Sequence, residues 1–545
     1  MPLLKFPRFQ LPPSPAALGW IALAFVLPGL AGHDPWKSHD ALGIGVAWEM
    51  ARSGDPIVPR VADLAWLSDP PFYHWLAAAL GQMLQPLLEF HAGARLASGL
   101  FMLAALWLLH IAARDWSLGE ERSATTSAGA PLLLLGSVGL IVHAHEALPE
   151  LPTLAALCGA LAVLPHAARR PVAAGALFGA SLGFGLLSSL WLAPAALGVA
   201  VLGAHFVCDE WRTPRALPFL LPAFIVAAVL SVSWPLALYL RSGELFNAWW
   251  RISMQPHGAP LVNLKYFFST LSWFAWPAWP LALWAGWALR GRLRDPRIFV
   301  PAVSIWLMLA GLAFWGPPND VNLIPLLAPL AFLASQGIPT LRRGAAAALD
   351  WFGVVTFACC AILVWLVYLA MLTGVPPRIA ANLARASPSF AAHFQILPLL
   401  VALLLTVGWV YVVFFTAPAP IRSVLRWAAG IVLLWGTVAM LWMPWVDYQK
   451  SYRSVALTLR AAIPPGPGCI AAVSLGVPQA AALHYHGGIR TRPYDPLKPK
   501  ACPLLIVQGS PQHEIYAPAE GWVKLAEAGR PGDRAEIQRL YRLKK

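Results

Sequence analysis

The 545-residue sequence predicts an α-helical polytopic membrane protein of about thirteen spans, with a small α/β domain at its C-terminal end. Three observations predict it. Hydrophobic residues make up 58% of the chain and charged residues only 12%, where soluble domains hold about 45–50% and about 25%. With a mean hydropathy of +0.62, neither a disordered chain nor a soluble enzyme could hide so much apolar surface. The apolar residues also gather into runs of bilayer length, and that pattern stops near Asp447.

A helix crosses a bilayer in about 17–25 residues. Runs of that kind fall at 15–32, 96–113, 131–147, 150–166, 172–188, 190–206, 216–239, 273–290, 298–316, 321–339, 349–373, 395–416 and 427–445. The first follows Lys5 and Arg8 and shows no small-residue cleavage site, so it reads as an uncleaved membrane helix. With the N-terminus in the cytoplasm and the spans alternating, sixteen Lys and Arg, including Lys5, Arg8 and Arg215, fall in short cytoplasmic segments. Nine fall in the much longer outer loops before the tail, a bias that fits the positive-inside rule. The expected setting is the bacterial inner membrane, with a cytoplasmic N-terminus and a periplasmic tail. Net charge is +14, from 39 basic and 25 acidic residues. Its placement in short loops and the tail points to membrane lipid as a partner, not nucleic acid.

Within the membrane part, 1–446, this topology collects the long loops on the outer face. Loop 33–95 carries Asp34, Asp40, Glu49, Asp55, Asp63 and Asp69, an amphipathic stretch at 42–53 and a helix start at Pro70-Pro71-Phe72-Tyr73-His74-Trp75. Loop 241–272 is rich in Trp and Phe. The tail, 447–545, opens on an amphipathic stretch from Tyr452 to Ala462 and a turn at Pro464-Pro465-Gly466-Pro467-Gly468. Cys469–Val473 and Pro503–Val507 then read as strands flanking a helix near Pro478–Tyr485. An oxidising periplasm would permit a Cys469–Cys502 disulfide, which spacing alone does not decide. His484 and His486 read as surface residues.

Three clusters could carry chemistry. Lys37, His39 and Asp40, just after the first span, put an ammonium, an imidazole and a carboxylate at the membrane surface, which suits acid/base work or an anionic headgroup. His143-Ala144-His145-Glu146-Ala147-Leu148-Pro149-Glu150 puts ionisable groups at the outer end of two spans, where such groups are functional candidates. Pro149 argues for a turn there, leaving Glu150 at a helix N-terminus that stabilises a carboxylate. His143, His145 and Glu146 are ligand types for zinc but lack a defined further partner, so no metal site is assigned and a divalent ion is left open. Arg251 and Lys265, in the aromatic outer loop, suit a phosphate. No phosphate-cradling Gly loop, nucleophile elbow or Cys-x-x-Cys pattern appears.

In order along the chain, Trp36-Lys37-Ser38-His39-Asp40-Ala41, Gly54-Asp55-Pro56-Ile57-Val58-Pro59 and Ser68-Asp69-Pro70-Pro71-Phe72-Tyr73 are followed by the acidic hairpin 146–150, Arg241-Ser242-x-x-Leu245-Phe246 and Asn322-Leu323-Ile324-Pro325-Leu326. This series resembles lipid-linked-sugar glycosyltransferases of the glycosyltransferase C fold, with bacterial aminoarabinose transferases and protein O-mannosyltransferases as the nearest groups. The resemblance implies inverting transfer of a sugar from a polyprenyl (undecaprenyl) phosphate donor to an envelope acceptor: lipid A, another glycan or a protein. By the same resemblance Asp40 and Glu150, with Glu146 and His39 beside them, would serve the acceptor. Lys37, Arg251 and Lys265 would serve the lipid phosphate. Two departures stand out. The family's Asp-Glu pair is His39-Asp40 here. The Glu-Lys typical before Pro-Pro in aminoarabinose transferases, which serves a metal and the lipid phosphate, is Ser68-Asp69, so neither contact carries over. A transporter or flippase of a lipid-linked substrate, or a non-catalytic relative, would share much of the pattern. A transporter, however, concentrates its ionisable groups near the midplane, and here they sit at span ends.

Overall fold

The computed structural model describes residues 9–212, 216–466, 468–512 and 520–544; Lys5, Arg8, Arg215 and Pro467 lie outside them. A principal helix stands at each of the thirteen apolar runs, from Pro15–Val26 to Arg422–Leu441. One run is placed differently from the expectation. The apolar segment 131–147 splits into the end of the helix Glu120–Leu135 and the short helix Leu140–His143, because the chain breaks at Gly136-Ser137. Among the described residues six helices are long and apolar enough to cross a membrane, and four shorter apolar ones accompany them. The shorter ones are cut by local chemistry. Pro149 ends the loop before Glu150–Val163, and Pro171 opens Pro171–Leu186.

Small residues let the bundle close. An added Cβ on Gly175 or Gly179 would stand 2.1 or 2.2 Å from a carbonyl oxygen of the helix Ala216–Arg241. That approach is the close helix packing that small residues allow in a bilayer, where apolar burial alone does not drive association.

Loop 33–95 is well ordered. His39–Ser53 is helical, ended by Gly54 in a left-handed conformation that glycine adopts without strain. Phe72–Leu84 is the second helix, opened by Pro70-Pro71 as the sequence suggests. Between them lies a two-stranded hairpin, Arg60–Val61 with Leu64–Ala65.

The tail folds into the α/β unit foreseen, with more strands than the sequence announces. The sheet order is Arg492–Pro493, Ile470–Val473, Leu504–Gly509, Ile537–Leu543, Trp522–Ala528; the first three are parallel and the last two join antiparallel. Tyr452, Val455, Ala456 and Leu459 pack with Leu483, Leu504, Ile506 and Leu540, and Ala41 of the outer loop joins this core. The tail is bound to loop 33–95 by polar ties as well. Arg453 bridges Asp34 at 2.5 Å and Glu89 at 2.9 Å, and Trp36 donates to Asp447 at 2.8 Å. His484 is buried against Glu49 at 2.6 Å, so it is not the surface residue the sequence suggested. His486 is half-buried, and burial lowers its imidazole to about 4.

Cys469 and Cys502 form a disulfide across a separation of 33 residues. Replacing both with Ser is expected to destabilise the tail by about 2–4 kcal/mol, from the lost loop constraint. Limited proteolysis checks this: cleavage should accelerate within 447–545 and not in the bundle.

Candidate functional site

A cavity of about 420 Å³ lies between loop 33–95, the turn at 147–150, the segment at 252–257, the loop at 317–322 and the first residues of the tail helix. Glu150 is the first residue of the helix Glu150–Val163, where the helix dipole favours a negative charge. It is 7% exposed, and its Oε2 has no hydrogen-bond partner. His39, the first residue of His39–Ser53, also lines the cavity. So does Asp69, in the turn just before the Pro-Pro helix start. Burial pushes the Asp69 carboxyl up to about 6, partly offset by a hydrogen bond from Trp66. Burial lowers His39, which favours its neutral imidazole.

A second polar cluster stands behind His39. His143 Nδ1 is 2.6 Å from Glu146 and its Nε2 is 3.4 Å from Asp320, while its ring lies 6.2 Å from that of His39. The hydrogen bond from His143 holds the Asp320 carboxyl below its ordinary range. Asp320 was missed by the sequence reading, although it lies two residues before the Asn322-Leu323-Ile324-Pro325 motif.

The structure separates the residues the sequence grouped. Asp40 is 1% exposed and does not line the cavity. Its carboxylate meets Arg95 at 2.6 Å and accepts from the Ala147 amide at 3.0 Å. Burial alone would raise its pKa, but the Arg95 guanidinium outweighs that and holds it down. Asp40 therefore braces the turn that presents Glu150. Gly43 serves the same contact: a Cβ there would stand 2.0 Å from the Ala147 carbonyl oxygen. Glu146 is turned to His143 and is absent from the lining. His145 points both ring nitrogens at backbone oxygens of Ile141 and Phe25, so His143, His145 and Glu146 do not converge as ligands.

The basic candidates also lie outside the lining. Lys37 is paired with Glu536 of the tail at 2.8 Å, which makes it a tie between loop and tail. Arg251, exposed, donates to the Asn247 carbonyl, one residue before the cavity-lining Ile252 and Ser253. Lys265 is exposed on the helix Pro260–Phe274. Ser68 lines the cavity where a metal-binding Glu would be expected from the resemblance, and its neutral hydroxyl does not fit that role. Asp34, Glu89 and His91 are close enough to share an ion, but the Arg453 guanidinium already sits on both carboxylates.

No family model matches the sequence. Among curated proteins, the chain is 26% identical over 354 residues to an undecaprenyl phosphate-alpha-4-amino-4-deoxy-L-arabinose arabinosyl transferase of Pectobacterium atrosepticum. It is 24% identical over 372 residues to the protein of the same name in Aeromonas salmonicida. The matched stretches cover 61% and 65% of those relatives, somewhat under two thirds of their length. Among solved structures, ArnT from Cupriavidus metallidurans bound to undecaprenyl phosphate superposes with a TM-score of 0.69 at 19% identity, covering 96% of this chain and 97% of that one. The chain has the glycosyltransferase C fold. The mycobacterial arabinofuranosyltransferase AftD matches at a TM-score of 0.50 and 14% identity, over 98% of this chain and 40% of its own.

Proposed function

We propose that this chain is an inverting glycosyltransferase that moves a sugar from undecaprenyl phosphate to an envelope acceptor on the outer face of the bacterial inner membrane. The observation that carries the reading is Glu150: a buried carboxylate with an unpartnered oxygen, at a helix start, facing a cavity in a fold shared along 96% of the chain with ArnT. The names of the curated relatives make a 4-amino-4-deoxy-L-arabinose the sugar of choice, and the resemblance makes lipid A the first acceptor to try.

The chemistry is a single displacement. An acceptor oxygen attacks the anomeric carbon, the bond to the lipid phosphate breaks, and that phosphate leaves with the electron pair. Glu150 orients the acceptor and takes its proton where it has one, with neutral His39 beside it. Arg251 and Lys265, exposed at 251 and 265 of the aromatic loop, are the cations nearest in sequence to the 252–257 wall and would meet the leaving phosphate.

The proposed topology puts the N-terminus in the cytoplasm and the division between bundle and periplasmic domain at 446/447. The disulfide supports an oxidising setting for the tail. The ties from Asp34, Lys37 and Glu49 to the tail require loop and tail to share one face.

The test is reconstitution. Purified protein in vesicles, given undecaprenyl-phosphate aminoarabinose and lipid A, should yield modified lipid A and free undecaprenyl phosphate in equal amounts by mass spectrometry. A well-folded preparation that releases neither product with lipid A, a second glycan or a protein acceptor would favour the non-catalytic relative. Donor crossing the vesicle without cleavage would favour the flippase.

A further inference from the structure

The cavity is lined by two carboxylates, Asp69 and Glu150, and by no lysine or arginine among the described residues. Of its three imidazoles, His257 is turned through Nδ1 to the Trp315 carbonyl oxygen at 2.9 Å, and the other two do not compensate. Burial holds His74 at about 4 and lowers His39, so neither carries charge near neutrality. Glu150 Oε2 has no partner. Buried charges in proteins are paired or hold ions, because solvent no longer screens them. Here two carboxyls, Glu150 buried and Asp69 half-buried, face one space with no lysine or arginine among the described residues.

The ligand chemistry follows from that imbalance. A phosphate meets no lysine or arginine here and would be repelled by an ionised carboxylate, so the lipid phosphate belongs outside this part of the cavity. An ammonium group would be drawn in, with three N–H donors for the carboxylate oxygens. The cavity, about 420 Å³, lies in the size range of small-ligand sites.

We propose that Asp69, with the unpartnered carboxyl of Glu150 on the same cavity, forms a subsite for the ammonium group of an amino-sugar donor and selects that donor over its N-acylated form. This rests on the donor reading above. Burial disfavours the charge on Asp69, and a bound ammonium would hold the carboxyl ionised.

Two donors decide it: undecaprenyl-phosphate 4-amino-4-deoxy-L-arabinose and the same lipid with the amine acetylated, each given to the full chain in vesicles. Wild type should bind the amino donor at least tenfold more tightly and turn it over with a correspondingly higher kcat/KM. In Asp69→Asn the ratio between donors should fall toward one, mainly through KM for the amino donor. Asp69→Glu should restore the preference. Equal binding of both donors by wild type overturns the subsite, and that result needs no variant to fold. A preference that survives in a folded Asp69→Asn also overturns it. So does turnover abolished by a chelator and restored by a divalent ion, which would give the carboxylates to a metal. If folded wild type binds and cleaves neither donor, the sugar-transfer reading fails and takes the subsite with it.

Discussion

Glu150→Gln is expected to lower sugar transfer by a factor of about 10² to 10⁴, the usual worth of a positioned acid or base. Glutamine keeps the shape of the side chain and removes the charge. The fold should tolerate it, because Oε2 has no protein partner to lose. Turnover therefore falls while thermal stability holds. Glu150→Asp keeps the charge but withdraws it by a methylene, and should recover part of the rate. Initial rates of undecaprenyl phosphate release, beside melting curves of the same preparations, check both halves. A folded Glu150→Gln protein within tenfold of wild type would remove Glu150 from the reaction and turn attention to His39, which faces the same cavity.

Much of this architecture was legible because membrane helices advertise themselves. Each span must satisfy its backbone internally and present apolar side chains, so the thirteen runs could be read from hydropathy alone. The run 131–147 was misplaced because the polar first half of Glu120–Leu135 hid a helix that begins well before its apolar part. In the tail, Ile470–Val473 and Leu504–Gly509 are apolar and parallel, and were legible. Ile537–Leu543 was not: it carries Gln538, Arg539 and Arg542, and buried Arg539 is neutralised by Glu527 of the neighbouring strand at 2.9 Å. Nothing local announces a charge whose partner lies on another strand.

The site shows the same limit. Glu150 could be picked out because Pro149 and the dipole argument need only neighbouring residues. Asp40 looked equally reactive, yet its role depends on Arg95, 55 positions away, and on the Ala147 amide, 107 positions away. Lys37 likewise reads as a free cation until Glu536, 499 positions on, is brought against it. Asp69 and Asp320 acquire meaning only from the cavity they share with Glu150 or the imidazole they meet. Sequence ranks ionisable groups by chemistry; only the fold says which of them are already occupied.

Arg95 tests that distinction most sharply. Its guanidinium is fully buried, donates to Asp40 at 2.6 Å and to the carbonyl oxygens of His33 and Asp34 at 2.9 Å each. Arg95→Met would strand the Asp40 carboxylate and two carbonyls away from water. Breaking a buried pair in this way costs about 3–5 kcal/mol, enough to remove most folded protein. Asp40→Asn combined with Arg95→Met should be milder, because Asn keeps an acceptor for the Ala147 amide and no buried charge remains. If Asp40 is a brace, the double variant regains folded yield and transfer activity together. If Asp40 takes part in the reaction, it regains yield and stays inactive. Acid should act like the single variant. A carboxyl whose pKa is depressed in the fold contributes fully above its unfolded value, near 3.9, and loses that contribution as pH falls through the lower folded value. Size-exclusion yield and irreversible inactivation half-life, measured for wild type, the single and the double variant, separate brace from catalyst.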